Sequence, residues 1–311
     1  MASRQELAPG NPDVALRALE RAVALAEGSS TPEPVVLIRA EDLHALGPAQ
    51  VRARLDRMIL APNPDEGLDS LLTASVLDAL FPEVKSMVGF GDGEFRHKDV
   101  WKHTKQVVRQ AEARLEVRWA ALFHDIGKVK TRSFGPKGEV HFFGHAEVGA
   151  RMFDKLERRE QLFSVEESLR DSIRFLVLHH LRASQYDGGW TDSAVRRFAR
   201  EMGAHLEDLL CLSRADITTK RAEKKRRGIS MIEELSTRIG ALAAEDAKED
   251  PLPKGIGNAI MEVFGIPPSK RIGDVKRALE AAVLSGEIDP GLDSDAYVHF
   301  LANNKGRFGL G

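Results

Sequence analysis

The chain has 311 residues, 42% of them hydrophobic and 30% charged, with a formal net charge of −2. That is the composition of an ordinary soluble globular protein of one or two domains, and no apolar run approaches the ~18 residues a membrane helix needs. One cysteine, Cys211, excludes an intrachain disulfide, and the near-zero charge gives no global attraction to nucleic acid.

The opening "MASRQELAPGNPD" lacks the charged-then-apolar layout of a secretory signal. With the lone cysteine, placed in "DLLCLS" as a buried inert thiol, this makes a cytoplasmic protein the expectation. Helical periodicity then dominates, and no series of alternating strands is visible. "PDVALRALERAVALAEG" predicts a helix with Pro12 at its start, Leu16, Leu19, Val23 and Ala26 on one face, and Gly28 as its stop. "SSTPEP" is a turn cluster. A second helix is expected in "GPAQVRARLDRMIL", closed by "APNPDEG", and a third in "LDSLLTASVLDALFP", stopping at Pro82. These form an all-α region over residues 1–84.

The block over residues 85–240 carries nearly every histidine of interest. "HKDVWKHTKQVVRQAEARL" reads as one helix, followed by a short one ending in "WAALFHDIGKVKTR". "SFGPKGEVHFFGH" is a loop or small hairpin, and helices resume in "AEVGARMFDKLERR", "EESLRDSIRFLVLHHL", "DSAVRRFAREMG" and "HLEDLLCLSRADITTK". The segment Lys220–Arg227, "KRAEKKRR", has six basic residues in eight. It reads either as a surface that attracts phosphates or as a solvated helix face. "LAAEDAKEDPLPKG" reads as an acidic, proline-containing linker. Residues 241–311 end in a small helical unit built on "NAIMEVFG" and "IGDVKRALEAAVLSG".

A metal ligand supplied by a helix must lie on the inward face, and this gives a test from spacing alone. His103 falls on the stripe of Val100, Val107, Ala111 and Leu115. His180 continues the stripe of Leu169, Ile173, Leu176 and Val177, while His179 is turned about 100° away. Asp216 continues the stripe of Leu206, Leu209, Leu210 and Ser213, where a carboxylate is costly unless it is paired or metal-bound. His124 and Asp125 end an apolar helix, and the loop adds His145. A single histidine on an apolar face is usually a hydrogen-bonded core residue, and Asp216 has Arg214 or Arg174 as alternative partners. A shared metal centre explains the whole set together.

The order His103, then His124–Asp125, then a distant Asp216 resembles the HD-domain metal-dependent phosphohydrolases. "GFGDGEFRHKDVWKHT", "AALFHDIGKVKTR", "WTDSAVRRFAREMG" and "LSRADITTK" are similar to the HD portion of bacterial tRNA nucleotidyltransferases, the CCA-adding enzymes and their poly(A) polymerase relatives. "GPAQVRARLDRMILAPNPDEGLDSLL" resembles their neck helices, and residues 252–288 resemble their C-terminal part. The likeness runs over roughly residues 45–290. Before residue 60 nothing matches the Gly-Ser and paired aspartates of the family's nucleotide-adding head, and Val14 stands where its neck has an arginine. The expectation is therefore an all-α HD-domain bundle flanked by N-terminal neck helices and a C-terminal helical unit, without nucleotide addition.

The resemblance implies metal-assisted hydrolysis of a nucleotide or RNA-end phosphoester, such as a 2′,3′-cyclic phosphate or a nucleoside monophosphate. The site residues alone would fit cyclic dinucleotides or (p)ppGpp equally well. His103, His124, Asp125 and Asp216 would hold one divalent ion. His145 and His180, bridged by Asp125, would hold a second, with His179 as a further candidate from paired histidines in some relatives. His145 stands in the family's Gly-His-Glu segment, but Ala146 replaces the glutamate. Mn, Ni, Mg, Fe and Zn remain open as the metal, with mixed imidazole and carboxylate ligation favouring a transition metal over calcium. Asp125 and Lys128 are the expected catalytic pair, Lys128 stabilising charge on phosphoryl oxygens. Arg132 and Arg182 are weaker candidates for gripping substrate phosphate, and Trp190 is expected to pack. The expected partner is a nucleotide or RNA 3′ end, not a membrane, with homo-oligomerisation left open. The rival reading is a noncatalytic RNA-binding or assembly module with a structural metal, as the partner of a separate nucleotidyltransferase head.

Overall fold

The computed structural model describes residues 9–29, 34–91, 99–246 and 251–310. Most of the "SSTPEP" turn cluster, the start of the "MASRQELAPGNPD" stretch, residues 92–98 and residues 247–250 of the acidic segment lie outside them. Packing divides the chain into two compact units, residues 1–240 and 241–311.

In the first unit, α1 spans Pro12–Ala26, with Pro12 at the first helical position and the Asn11 side chain accepting from the Asp13 amide. Its buried face is mostly small: Ala15, Ala18, Leu19, Ala22, Val23 and Ala26. The short α2, Ala40–Leu46, had no counterpart in the sequence reading. Its Asp42 carboxylate accepts from the backbone amides of Arg39 and Asn11, which joins its start to that of α1. α3 spans Pro48–Leu60 and α4 Pro64–Thr73. In α4, Gly67 packs so closely that an added Cβ would lie 2.5 Å from the Met58 side chain and 3.0 Å from the Ala22 carbonyl.

The helix expected over residues 68–82 is instead broken into α4, α5 (Val76–Leu80) and α6 (Pro82–Lys85). Ser75 adopts a left-handed φ of 62°, and the Ala74 carbonyl accepts from the Ile38 amide. A tertiary hydrogen bond and Pro82 thus override helical propensity.

α7 spans Val100–Gln110 and α8 Leu115–Phe123. The sequence reading ran α7 on to Leu115. In fact Ala111 turns extended and its carbonyl accepts from Arg118 Nε at 3.1 Å. Every residue of α8 from Val117 to Phe123 is buried, as befits a helix that is apolar on all sides and runs through the core. Buried Arg118 also donates to the carbonyls of Ile59 (2.7 Å) and Ala61 (2.8 Å), and Trp119 Nε1 donates to Asp56 Oδ1 at 2.7 Å. The last carbonyls of α3 have no partner within their own helix, and the guanidinium satisfies them. The neck-like helices and the histidine-bearing helices therefore share one core, which includes Phe81, Trp119, Phe123, Phe153 and Phe163.

After α9 (Lys128–Thr131) come two-residue strands β1 (Ser133–Phe134) and β2 (Val140–His141), paired antiparallel as the hairpin alternative expected. They form the only sheet among the described residues. α10 spans His145–Glu160, α11 Glu167–His179, α12 Asp192–Met202 and α13 Leu206–Asp216. α14 runs from Ala222 to Asp246, so "LAAED" is helical where a linker was expected. Its alanines, leucines and glutamates favour a helix. Tyr186 hydroxyl donates to Glu234 at 2.6 Å, and Arg238 reaches Asp192 at 2.7 Å.

The second unit contains α15 (Ile256–Phe264), α16 (Lys270–Leu284) and α17 (Ser294–Asn303), the last not anticipated. Its core is formed by Leu252, Ile256, Ile260, Val275, Leu279, Tyr297 and Leu301. The fold is all-α. Among the described residues, no helix is long and apolar enough to cross a membrane.

Candidate metal centre

Apolar α8 delivers His124 and Asp125 at its C-terminal end, both 1% exposed. The turn that follows is tight. A Cβ on Gly127 would fall 2.0 Å from the His145 carbonyl oxygen and 2.7 Å from the Gly149 amide nitrogen, so only glycine lets the chain pass against α10 there. That passage brings His145, the first residue of α10, up to Asp125. The sequence pattern places His145 in a loop; a left-handed Gly144 ends that loop one residue earlier.

His103 comes from the middle of α7, His180 closes α11, and Asp216 is the last residue of α13. The six side chains meet around the two oxygens of Asp125. Oδ2 lies 3.3 Å from His124 Nε2 and 3.5 Å from His103 Nε2, while Oδ1 lies 3.5 Å from His145 Nε2 and 4.0 Å from His180 Nε2. Asp216 Oδ1 completes the first group, 3.0 Å from His103 Nε2 and 3.6 Å from His124 Nε2. Neither arginine considered as its partner takes it: Arg174 pairs with Asp154 and Arg214 with Glu207.

The tautomers follow from the backbone. His124, His145 and His180 direct Nδ1 at the carbonyls of Ala121 (2.7 Å), Phe142 (2.8 Å) and Val177 (2.8 Å). A carbonyl only accepts, so each Nδ1 carries the hydrogen and each neutral ring turns its Nε2 lone pair into the site. His103 Nδ1 is held by the Thr218 hydroxyl at 2.9 Å. The inward nitrogens then face one another, His103 and His124 at 3.3 Å, His145 and His180 at 3.2 Å. In the His145–His180 pair two lone pairs so close cannot satisfy each other unless a proton or a cation lies between them, whereas the Thr218 hydroxyl can donate or accept and leaves His103 Nε2 free to carry a hydrogen toward Asp216.

Electrostatics separates the groups. Burial pushes the His124 imidazole down, but Asp125 and then Asp216 outweigh it and raise it above the usual range. Burial drives His180 down to about 4 and also lowers His145, despite Asp125. Burial alone would raise both carboxyls. His124, Lys128 and His103 instead hold Asp125 well below the carboxylate range, and the hydrogen bond from His103 with the charge of His124 brings Asp216 to about 2.

Lys128 Nζ meets Asp125 Oδ2 at 2.6 Å, at the rim of the site. Three other candidates lie apart. His179 packs on Phe175 with ring centroids 4.3 Å apart and is outside the cluster, because one step along α11 rotates it off the inward face. Arg182 pairs with Glu201 at 2.5 Å and lines a cavity of about 310 Å³ with Gln185, Trp190, Ala194, Arg197 and Phe198. Trp190 packs edge-on against Tyr186 and Phe198. Arg132 lies over the Phe90 ring, 4.5 Å from its centroid.

Sequence reasoning missed the residues that hold the ligands. Thr218 fixes His103, and the Gln110 amide donates to the carbonyls of Ala215 and Ile217 on either side of Asp216. A hydroxyl two residues after the distant aspartate is the one signal that "ADITTK" offered. Cys211 is buried and its thiol pushed up to about 12, chiefly by burial, as an inert residue should be.

Residues 97–221 match the family model of the HD domain. The A-adding tRNA nucleotidyltransferase of Deinococcus radiodurans is 29% identical over 255 residues, covering 80% of this chain and 57% of that protein. The CC-adding tRNA nucleotidyltransferase of Thermus thermophilus is 30% identical over 261 residues, covering 80% and 56%. The Multifunctional CCA protein of Pseudomonas aeruginosa PAO1 is 28% identical over 152 residues, covering 47% and 36%. The HD-domain match thus lies within a longer stretch similar to tRNA nucleotidyltransferases, and the chain spans little more than half the length of the first two.

Proposed function

We propose that the chain is a metal-dependent phosphohydrolase acting on a nucleotide or RNA-end phosphoester, such as a 2′,3′-cyclic phosphate or a nucleoside monophosphate. One observation carries the reading: two pairs of inward-facing imidazole nitrogens flank a buried carboxylate that directs one oxygen at each pair. Such a donor set fits divalent transition ions, and its backbone-anchored tautomers are those that ligation requires. His103, His124, Asp125 and Asp216 would hold one ion, and His145 and His180 with Asp125 a second. A bound cation there supplies Lewis acidity toward a phosphoryl oxygen and a lowered pKa for water.

The chain's own residues provide the rest. The backbone carbonyls and Thr218 orient the ligands, so no reorganisation precedes reaction. Lys128 brings an ammonium to the rim, where it would stabilise negative charge on the phosphoryl oxygens. The new bond joins water oxygen to phosphorus, the ester P–O bond breaks, and the water's proton passes to the departing oxygen. The relatives' names specify tRNA, which supports an RNA source for that ester.

A second reading, a noncatalytic RNA-binding or assembly module working with a nucleotidyltransferase head, is favoured by the exposed basic residues that open α14. Elemental analysis of the purified protein, followed by a phosphoester panel with Mn²⁺, Ni²⁺ and Mg²⁺, separates the two. Hydrolysis that disappears in Asp125→Ala is the expected result. No hydrolysis by the wild type, with RNA binding intact in both proteins, would establish the second reading instead.

A further inference from the structure

We infer that the β1–β2 hairpin with Arg132 is a stacking rim that holds the nucleobase of the phosphoester bound at the metal centre, so that the site selects base-bearing substrates. This rests on the phosphohydrolase reading and adds the part of the substrate that the metal ligands do not touch.

The hairpin is built onto the centre. The Phe142 carbonyl accepts from His145 Nδ1 at 2.8 Å, and the Phe142 ring lies 5.6 Å from Lys128 Nζ, which is itself 2.6 Å from Asp125. From Phe142 the aromatic surface continues to Phe90, at 6.4 Å between centroids, and through the Arg132 guanidinium, 4.5 Å from Phe90 and 5.7 Å from Phe134. Two large aromatics point into solvent here, Phe134 at 65% exposure and Phe143 at 77%. His141 lies flat on Phe143, 5.0 Å away at 17°, leaving the other face of the phenyl ring open.

Charge matches the same occupant. Among the described residues Arg132 has no carboxylate partner, its one polar contact being the Gly91 carbonyl at 3.4 Å. Lys130 and Lys137 lie on the same short stretch with one acid, Glu139, while Lys128 pairs with Asp125. Exposed rings beside Arg132 and a locally basic stretch suit an anionic, flat ligand: the cations attract the phosphate and the rings stack on the base. The other aromatic and basic feature, the cavity at Trp190, is less suited. Its Arg182 and Arg197 share Glu201, and Trp190 is engaged by Tyr186 and Phe198.

The test compares adenosine 2′,3′-cyclic phosphate and AMP with ribose 5-phosphate, which has no base, in Mn²⁺-loaded protein. Both turnover and calorimetric binding are measured. Phe134→Ala and Phe143→Ala alter exposed side chains outside the core, and Trp190→Ala serves as the comparison. The wild type should prefer the adenine compounds by about ten-fold or more, the size of one base–aromatic stack. Both phenylalanine variants should lose most of that preference and leave ribose 5-phosphate unchanged. Equal handling of all three ligands by the wild type, a preference that survives both variants, or one lost only in Trp190→Ala overturns the inference. Base-selective binding that needs Phe134 and Phe143, without turnover of any ligand, keeps the rim and overturns the phosphohydrolase reading.

Discussion

The two halves of the histidine–aspartate cluster share Asp125 but are different chemical environments. The His103–His124–Asp216 half has a second carboxylate, is open enough to leave the Asp216 side chain 30% exposed, and raises its imidazole at His124. Among the described residues the His145–His180 half has no second carboxylate; it lies deeper and keeps both imidazoles lowered. Burial is severe in both; in the first half Asp125, through its charge and its hydrogen bond with His124, and then Asp216 outweigh the desolvation that otherwise drives a histidine neutral. A cation entering the first half meets stronger electrostatic attraction but competes with a proton that His124 holds more tightly than an ordinary histidine does. In the second half the imidazoles are already neutral but the attraction is weaker.

The sharpest break of this comparison is Asp125→Ala, which removes the only side chain common to both halves. Metal content should fall to background and phosphoester turnover by about 10²-fold to 10³-fold or more, read by elemental analysis and kcat/KM. Retention of metal in that variant would mean that the halves do not depend on a shared carboxylate.

Next come single-half variants. Asp216→Ala should weaken Mn²⁺ binding by more than His180→Ala does, because it removes charge as well as a donor. A loss of about 10-fold to 100-fold in affinity, measured by calorimetry, is expected for Asp216→Ala. Equal losses in the two variants would erase the electrostatic distinction.

A smaller effect is expected from pH. The raised His124 gives up its proton only above its ordinary value of 6.5, so apparent affinity at the first half should rise with pH through that value and beyond. His180, held to about 4, is neutral throughout that window. Asp216→Ala, left with the second half, should therefore show a flatter affinity–pH curve than the wild type, and a curve just as steep would contradict the assignment.

The smallest effects belong to residues that lie apart from the cluster. His179→Ala and Arg182→Ala should leave metal stoichiometry unchanged and kcat/KM within about two-fold, since they touch Phe175 and Glu201 rather than Asp125. A ten-fold loss in either would place it back in the site.

Much of this site was legible as spacing. Helical phase put His103, His180 and Asp216 on inward faces and turned His179 away, because a fixed rotation per residue follows from the helix itself. The motif His124–Asp125–Ile126–Gly127 marked where an apolar helix leaves the core. Phase could not show that the two Asp125 oxygens divide between two imidazole pairs, because that depends on four helices meeting. Nor did spacing reveal Arg132 between Phe90 and Phe134: the partners are more than forty positions apart in one case and joined by a two-residue strand in the other.

By itself, then, the sequence determined that the chain is all-α, which residues line each inward helix face, and that its histidines and aspartates follow an HD-type order. These are properties of periodicity and local chemistry. Tertiary structure decided the rest. It broke the helix at Ser75, ended α7 at Gln110 to satisfy Arg118, carried α14 through an expected linker, and pressed Gly127 against α10. Each outcome turns on a hydrogen bond or close contact between distant segments, and no local propensity encodes such a contact.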